Sequence, residues 1–334
     1  MKIITEAMVE QHLALPDCID AMREVMIAVS DGQTTLPIRQ FMPIPGAPGK
    51  MALMPGTTDH PHRCFGIKLV CKYEREADSP YGTHVGMVLV FDSEKGLPLA
   101  MIEGASLTAI RTSAASAMAT DLLARPETDT LAIIGCGEQA LRHVRAMLAV
   151  RSPSDIRVWG RDAAKAERFA AHMQAETGQA IGVAASVEAA VANADLVCTT
   201  TAAKTPVLKG SWLAPGAHVN LVGAAIPTSA EADQDVVTRS RFFVDYRPAA
   251  MAAAGELLDA IEAGAATKDH IAGEIGEVAA GRVKGRTSAD EITVYKSLGV
   301  SAQDLAAGHK LYELACRDGF GLDVDMMDYD PPSL

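Results

Sequence analysis

The sequence predicts an α/β protein built on a parallel sheet, with a second domain of mixed strands and helices. Three observations carry this reading. First, at roughly 100–200 residues per domain, 334 residues suggest two domains. Second, short apolar runs alternate with helical stretches across residues 130–247, a pattern that makes strands parallel with helices on both faces. Third, a glycine-rich turn, Gly135-Cys136-Gly137-Glu138-Gln139-Ala140, follows the first of those runs directly and opens a helical stretch.

The elements follow in order. Residues 7–30 carry apolar positions at helical spacing and end at Asp31-Gly32, which predicts one or two amphipathic helices before a turn. Met51–Pro55, Phe65–Val70 and Met87–Phe91 are apolar runs separated by Gly, Pro and Asp clusters, as strands are. From Ser106 to Leu123 the composition turns to Ala, Ser, Thr, Met and Leu, which predicts a buried helix, and Arg125-Pro126-Glu127-Thr128 reads as a linker. Strands are then expected at Leu131–Ile134, Ile156–Trp159, Leu196–Thr199, His218–Val222 and Phe242–Val244, with helices over 138–150, 162–176 and 186–193. Residues 250–264 and 301–318 read as further helices.

Composition narrows the function. Hydrophobic residues at 49% and charged residues at 22% are the balance of a globular protein and exclude disorder. Only 4% of residues are aromatic, so the core is expected to be aliphatic. Lys and Arg number 30 against 42 Asp and Glu, a formal charge of −12, which argues against a nucleic-acid partner. The six cysteines are scattered without a CxxC pair, which fits free thiols in a reducing cytosol and no metal site. The first residues lack a signal-peptide pattern, and no stretch approaches the roughly 20 apolar residues of a membrane span. A cytoplasmic protein without a membrane partner is expected.

The glycine turn has GxGxxA spacing. Gly135 permits the tight turn, Gly137 lets a pyrophosphate approach the backbone, and Ala140 lets the helix pack against the strand. Helix amides at Glu138 and Gln139 then face the phosphates. This predicts a Rossmann dinucleotide-binding domain. In such sheets an acid at the end of the second strand marks NAD, and an Arg nearby accommodates the 2′-phosphate of NADP. Here Gly160 holds the acidic place and Arg161 follows, which favours NADPH over NADH, while Asp162 reads as the N-cap of the next helix. Three cations outside this domain, Arg39, Lys68 and Arg111, sit among apolar or small neighbours. Buried charges need partners, and a bound carboxylate is one that the Arg fork suits. His84, in Tyr81-Gly82-Thr83-His84, is a candidate proton donor.

Together these residues resemble the ornithine cyclodeaminase/mu-crystallin family. The resemblance rests on Thr108-Ala109-Ile110-Arg111-Thr112-Ser113-Ala114-Ala115-Ser116, on the turn at Gly135–Ala140, and on the closing block Gly285-Arg286-Thr287-Ser288-Ala289-Asp290-Glu291-Ile292-Thr293-Val294-Tyr295-Lys296-Ser297-Leu298-Gly299. It implies a Rossmann NAD(P)-binding domain over residues 121–302. The other domain, α+β, would bind substrate, make a homodimer, and combine residues 1–120 with 303–334. By position, Arg39, Lys68, Thr83 and Arg111 would hold the substrate, with Lys68, His84 and Arg111 catalytic. Thr83, Arg111, Gly135, Gly137, Glu138, Gln139, Ala140, Arg161, Thr200, Thr201, Asn220, Val222, Gly223, Ala224 and Ser297 would contact NAD(P)H.

The implied reaction is reduction of a C=N bond beside a carboxylate to give an L-amino acid. Candidate substrates are Δ1-pyrroline-2-carboxylate, Δ1-piperideine-2-carboxylate, iminosuccinate and iminopropionate. The family's other activities are the ornithine cyclodeaminase lyase reaction and non-catalytic, mu-crystallin-like NADPH binding. In Val222-Gly223-Ala224-Ala225-Ile226-Pro227, Ala225 stands where the cyclodeaminase has its catalytic Asp. Glu231 and Asp233, farther along, read as charges at the start of a helix rather than as replacements.

Overall fold

A computed structural model describes residues 1–73, 79, 82 and 84–326, with His84 described by its backbone alone. The chain divides into two compact units: residues 1–14, 33–108 and 301–334 in one, and 15–32 and 109–300 in the other.

The first unit is a sheet backed by a helix. Its strands run in the order Leu322–Asp323, Lys2–Ile4, Pro98–Glu103, His84–Asp92, Cys64–Lys72, Lys50–Thr58 and Thr34–Thr35, and Gln40–Pro43 also pairs with Lys50–Thr58. Lys2–Ile4 lies parallel to Pro98–Glu103, and the other pairs are antiparallel. Strands alternate in facing. Val88, Val90, Ala100 and Ile102 are buried, whereas Phe65, Val85 and Met87 are exposed. The helix Ser301–Asp318 covers the buried face, and its residues 301–308 are buried throughout.

The second unit is an eight-stranded, wholly parallel sheet. Its order is Ile181–Val183, Asp155–Trp159, Thr130–Ile134, Leu196–Thr199, His218–Leu221, Ile292–Lys296, Ser240–Val244 and Ile271–Glu274. The chain starts in the middle, builds outward to one side, then returns to build the other. The strand order therefore reverses between Thr130–Ile134 and Leu196–Thr199, and ligands of open α/β sheets bind at such a switch point, outside the carboxyl ends of the strands. The central strands are buried on both faces, which explains their unbroken apolar sequence.

Three details depart from the expectations. Ile292–Lys296 is a strand between His218–Leu221 and Ser240–Val244, hidden in the sequence because Thr293 and Lys296 interrupt its apolar pattern. Residues 7–30 form helices as expected, Glu6–His12 and Leu15–Ser30, but the second belongs to the parallel-sheet unit. It is held there by Ser30, whose hydroxyl donates to Glu274 (2.7 Å), and by packing on the helix Ile275–Ala279. The buried helix begins earlier than expected, at Gly104, and continues to Leu123. Its residues 109–120 are all buried, and apart from Arg111 their side chains are small or apolar around the whole helix.

Candidate active site

The parallel-sheet unit carries a nucleotide cradle. Strand Thr130–Ile134 ends in Gly135, whose φ is +126°. A Cβ there would lie 2.6 Å from Thr200 Oγ1 and 2.9 Å from Thr200 O, so both conformation and packing demand glycine. Gly137 is the opposite case. It is the N-cap of helix Glu138–Val150 in extended backbone, φ −102°, with no side-chain cap, and a Cβ on it would meet nothing within 4 Å. Neither fold nor packing requires glycine at 137. The N–H groups of the helix's first turn have no acceptor within the helix, and such helix N-termini favour anions. Ala140 is fully buried. These residues fit a dinucleotide pyrophosphate.

At the next strand end, a Cβ on Gly160 would strike Cys136 Sγ at 2.6 Å. Close packing on the turn therefore accounts for glycine at the expected acidic place. Arg161 is exposed and makes no hydrogen bond or ion pair among the described residues. Asp162 caps helix Ala163–Thr177, accepting the Lys165 N–H at 3.0 Å.

The far side of the switch point is organised by a residue that sequence reasoning misread. Glu231 is fully buried and is not a helix-end charge. Its Oε1 accepts from Thr201 N–H (2.6 Å) and Thr201 Oγ1 (2.8 Å). Its Oε2 accepts from Thr199 Oγ1 (2.8 Å), Gly223 N–H (2.6 Å) and Ala224 N–H (3.3 Å). One carboxylate thus ties Thr200–Thr201 to Gly223–Ala224. Asp233 does serve as a helix cap, for Gln234–Thr238. Val222 is buried, and so is Ser297, whose hydroxyl has no partner among the described residues. Asn220 is buried within the sheet with its amide donating to Thr120 Oγ1 (2.9 Å), so its side chain is engaged with the helix Gly104–Leu123.

In the other unit, Lys68 sits in mid-strand on the face covered by Ser301–Asp318, and its side chain is 4% exposed. Its ammonium pairs with Asp304 Oδ1 at 2.9 Å and donates to Thr108 Oγ1 at 3.3 Å. The partner that a buried lysine needs is therefore supplied by the chain, from Asp304. The sequence signal for it was slight: a single acid within a small-residue helix, Ser301-Ala302-Gln303-Asp304. Arg39 is half-buried before strand Gln40–Pro43. Arg111 follows Thr108 by one turn of the same helix, is 4% exposed, and lies against Gly299. Asp245, fully buried, accepts the N–H groups of Leu298 (2.8 Å) and Gly299 (2.7 Å) and so fixes the segment beside Arg111. Thr83 lies outside the described residues, as does the side chain of His84, which begins strand His84–Asp92.

The ornithine cyclodeaminase/mu-crystallin family model matches residues 1–318. The chain belongs to the ornithine cyclodeaminase/mu-crystallin family. It is 36% identical over 283 residues to the ketimine reductase mu-crystallin of Mus musculus, covering 85% of this chain and 86% of that one. It is 34% identical over 290 residues to a delta(1)-pyrroline-2-carboxylate reductase of Bacillus cereus, covering 86% and 89%. Among solved structures, the Thermococcus litoralis delta(1)-pyrroline-2-carboxylate reductase in complex with NADH and L-proline superposes with a TM-score of 0.92 at 29% identity, covering 97% of this chain and 100% of that one.

Against the ornithine cyclodeaminase/mu-crystallin family pattern, Ala225 is partly buried and packs on the apolar core of the parallel-sheet unit. Both nearby acids are already engaged: Glu231 by five donors, and Asp233 by the N–H groups of Gly210 (2.9 Å) and Val236 (3.2 Å). Elsewhere, among the described residues, His62, His309 and Glu313 bring three possible metal ligands together. The two imidazoles are stacked, with centroids 4.1 Å apart and planes 17° apart. Both Nδ1 atoms approach Glu313 Oε1, at 3.5 Å from His62 and 3.7 Å from His309. Burial, and then the neighbouring His62, pushes His309 down to about 4.

Proposed function

We propose that this protein is an NAD(P)H-dependent oxidoreductase that reduces the C=N bond of a small 2-imino carboxylate to an L-amino acid. The observation that carries this reading over the lyase is the engagement of Glu231 and Asp233, the acids that follow Ala225 in sequence. A cyclodeaminase needs a free carboxylate to orient and deprotonate a side-chain amine, whereas Ala225 has none and Glu231 and Asp233 are committed to main-chain donors. A reductase needs only a held carboxylate, a proton for the imine nitrogen and a hydride for its carbon.

Arg111 and Arg39 would hold the substrate carboxylate. Lys68, kept as an ammonium by Asp304, would hydrogen-bond and protonate the imine nitrogen, with His84 as the second candidate donor. A bound nicotinamide supplies the hydride. Gly135–Ala140 would hold its pyrophosphate, and Thr200, Thr201, Val222, Gly223, Ala224 and Ser297 its far half. The exposed Arg161, free of protein partners among the described residues, supports a preference for NADPH. The relatives' names favour a cyclic imine such as Δ1-pyrroline-2-carboxylate.

The exposed sheet face of the first unit, with Met42, Phe65, Val85 and Met87 on one side of the pleat and all uncovered, supports a homodimer formed by this face. Such a contiguous apolar patch marks an interaction surface.

The deciding experiment offers NADH or NADPH with Δ1-pyrroline-2-carboxylate, Δ1-piperideine-2-carboxylate, and 2-oxo acids plus ammonia, following loss of reduced-nicotinamide absorbance. Ornithine with NAD+ is the contrast. Oxidation of the cofactor by an imine supports the reductase. Turnover of ornithine alone would replace it by the lyase, and tight cofactor binding without any turnover by a binding protein.

A further inference from the structure

The buried charges around Glu231 do not cancel. Lys296 and Glu256, both with fully buried side chains, pair at 2.8 Å, and the Lys296 ammonium also donates to Ala224 O at 2.7 Å. Glu256 Oε1 in turn accepts the Glu231 N–H at 2.9 Å. The lysine and Glu256 offset each other, which leaves Glu231 as one net negative charge. Every described group within hydrogen-bond distance of its two oxygens is a donor. Three are main-chain N–H groups, which can only donate. Thr201 Oγ1 already accepts from Ala203 N–H at 3.1 Å, so its hydrogen is available to Glu231. Both oxygens thus accept from donor-only main-chain groups, Oε1 from Thr201 and Oε2 from Gly223 and Ala224, a set that suits an ionised carboxylate.

The charge also has a definite place. It lies where strands Leu196–Thr199 and His218–Leu221 end, on the side of the switch point away from Gly135–Ala140. In a doubly wound sheet the two halves take the two mononucleotides. With the pyrophosphate on the Gly135–Ala140 turn, this side is the nicotinamide half. The oxidised nicotinamide ring is a cation and the reduced ring is neutral, so a fixed anion discriminates between them, more strongly in a water-poor interior than in solvent.

We propose that Glu231 is a positioning residue whose fixed negative charge, held at the nicotinamide half of the cradle by Thr199, Thr201, Gly223 and Ala224, favours the oxidised cofactor over the reduced one. It thereby assists departure of the hydride. This rests on the reading that the chain binds NAD(P)(H), and it adds a residue outside the glycine turn. A role confined to tying the two loops together would alter the affinities of both redox forms alike.

The test measures dissociation constants for NAD+ and NADH separately, by titration calorimetry and nicotinamide fluorescence, in wild type, Glu231→Gln, Glu231→Asp and Thr199→Val. Glu231→Gln should weaken NAD+ about tenfold more than NADH, a differential of about 1.4 kcal/mol. Glu231→Asp keeps the charge and Thr199→Val removes only an uncharged donor, so both should retain the wild-type ratio. Equal weakening of both forms by Glu231→Gln would overturn the proposal. Should Glu231→Gln fail to fold, infrared difference spectra of wild type, assigned with Glu231→Asp, decide: a protonated Glu231 carboxyl overturns the proposal and an ionised one supports it. Failure of wild type to bind either nucleotide would refute the cofactor reading itself, a separate outcome.

Discussion

Gly135 and Gly137 stand two residues apart in one turn, and the structure gives them opposite jobs that substitution separates. Alanine at 135 would have to adopt φ +126° with its Cβ 2.6 Å from Thr200 Oγ1. Strained backbone of that kind costs about 1–3 kcal/mol. Moving Thr200 would also disturb the hydrogen bond from its N–H to Ile134 O, now 2.8 Å, worth about 1 kcal/mol. A total of about 3 kcal/mol lowers Tm by about 6–12 °C for a unit of this size. Alanine at 137 meets nothing within 4 Å and keeps an ordinary φ of −102°. Its gain of about 0.4–1 kcal/mol from a stiffer unfolded chain is offset by alanine being the poorer N-cap, so Tm should move by less than about 2 °C. Its methyl would nonetheless occupy the space a pyrophosphate needs. Loss of one charge-assisted hydrogen bond, about 1.5–3 kcal/mol, weakens nucleotide binding about 10–150-fold. Differential scanning fluorimetry of the apo proteins and NADH and NADPH titrations measure the two quantities. Gly137→Ala binding nucleotide like wild type would refute the cradle, and an undiminished Tm for Gly135→Ala would refute the packing argument.

Acid should destabilise the fold well before its carboxylates titrate. Burial holds His143 down to about 4 and His218 to about 3 in the folded state, below the ~6.5 of an unfolded chain. The unfolded chain thus binds the extra protons, stability is fully present above pH ~6.5, and each histidine removes about 2 kcal/mol between pH 7.5 and 5. Urea melts at the two pH values check this, and equal stabilities would refute it. Lys68→Ala should abolish imine reduction while leaving nucleotide affinity unchanged; it also takes one partner from the buried Asp304, and breaking a buried ion pair in this way costs about 3–5 kcal/mol of stability. Near-wild-type turnover in that variant would rule out the Lys68 role. Arg161→Asp should weaken NADPH far more than NADH in paired titrations, and equal effects would exclude contact with the 2′-phosphate. Phe65→Glu with Met87→Glu, both on the exposed sheet face, should yield a monomer in sedimentation velocity. An unchanged dimer would show that another surface associates.

The legible parts of this protein are those where one residue type answers one local demand. The glycine turn, the apolar central strands and the Asp162 cap were readable because φ, burial on two faces and an unsatisfied amide each select few side chains. Strand Ile292–Lys296 was not, because its polar residues are satisfied at a distance. Thr293 accepts from Arg286 at 2.9 Å and donates to Leu123 O at 3.1 Å, and Lys296 pairs with Glu256. The same blindness hid Asp304 and Glu231. An acid in sequence looks alike whether it faces water or a lysine from 236 positions away.

That limit has a physical consequence for the site. Asp304, Asp245 and Glu231 are all fully or almost fully buried, and each is engaged by groups beside a proposed ligand contact. Asp304 fixes the Lys68 ammonium, Asp245 the amides of Leu298 and Gly299 beside Arg111, and Glu231 the loops at Thr201 and Gly223. A buried anion is strongly destabilising when one partner is removed, so it resists rearrangement of whatever it holds. On the proposed reaction, the charges that meet a carboxylate, an imine nitrogen and a nicotinamide are then preorganised by the fold and need not reorient as hydride moves. Stability is drawn from apolar packing in both units, and these acids direct part of it into holding geometry.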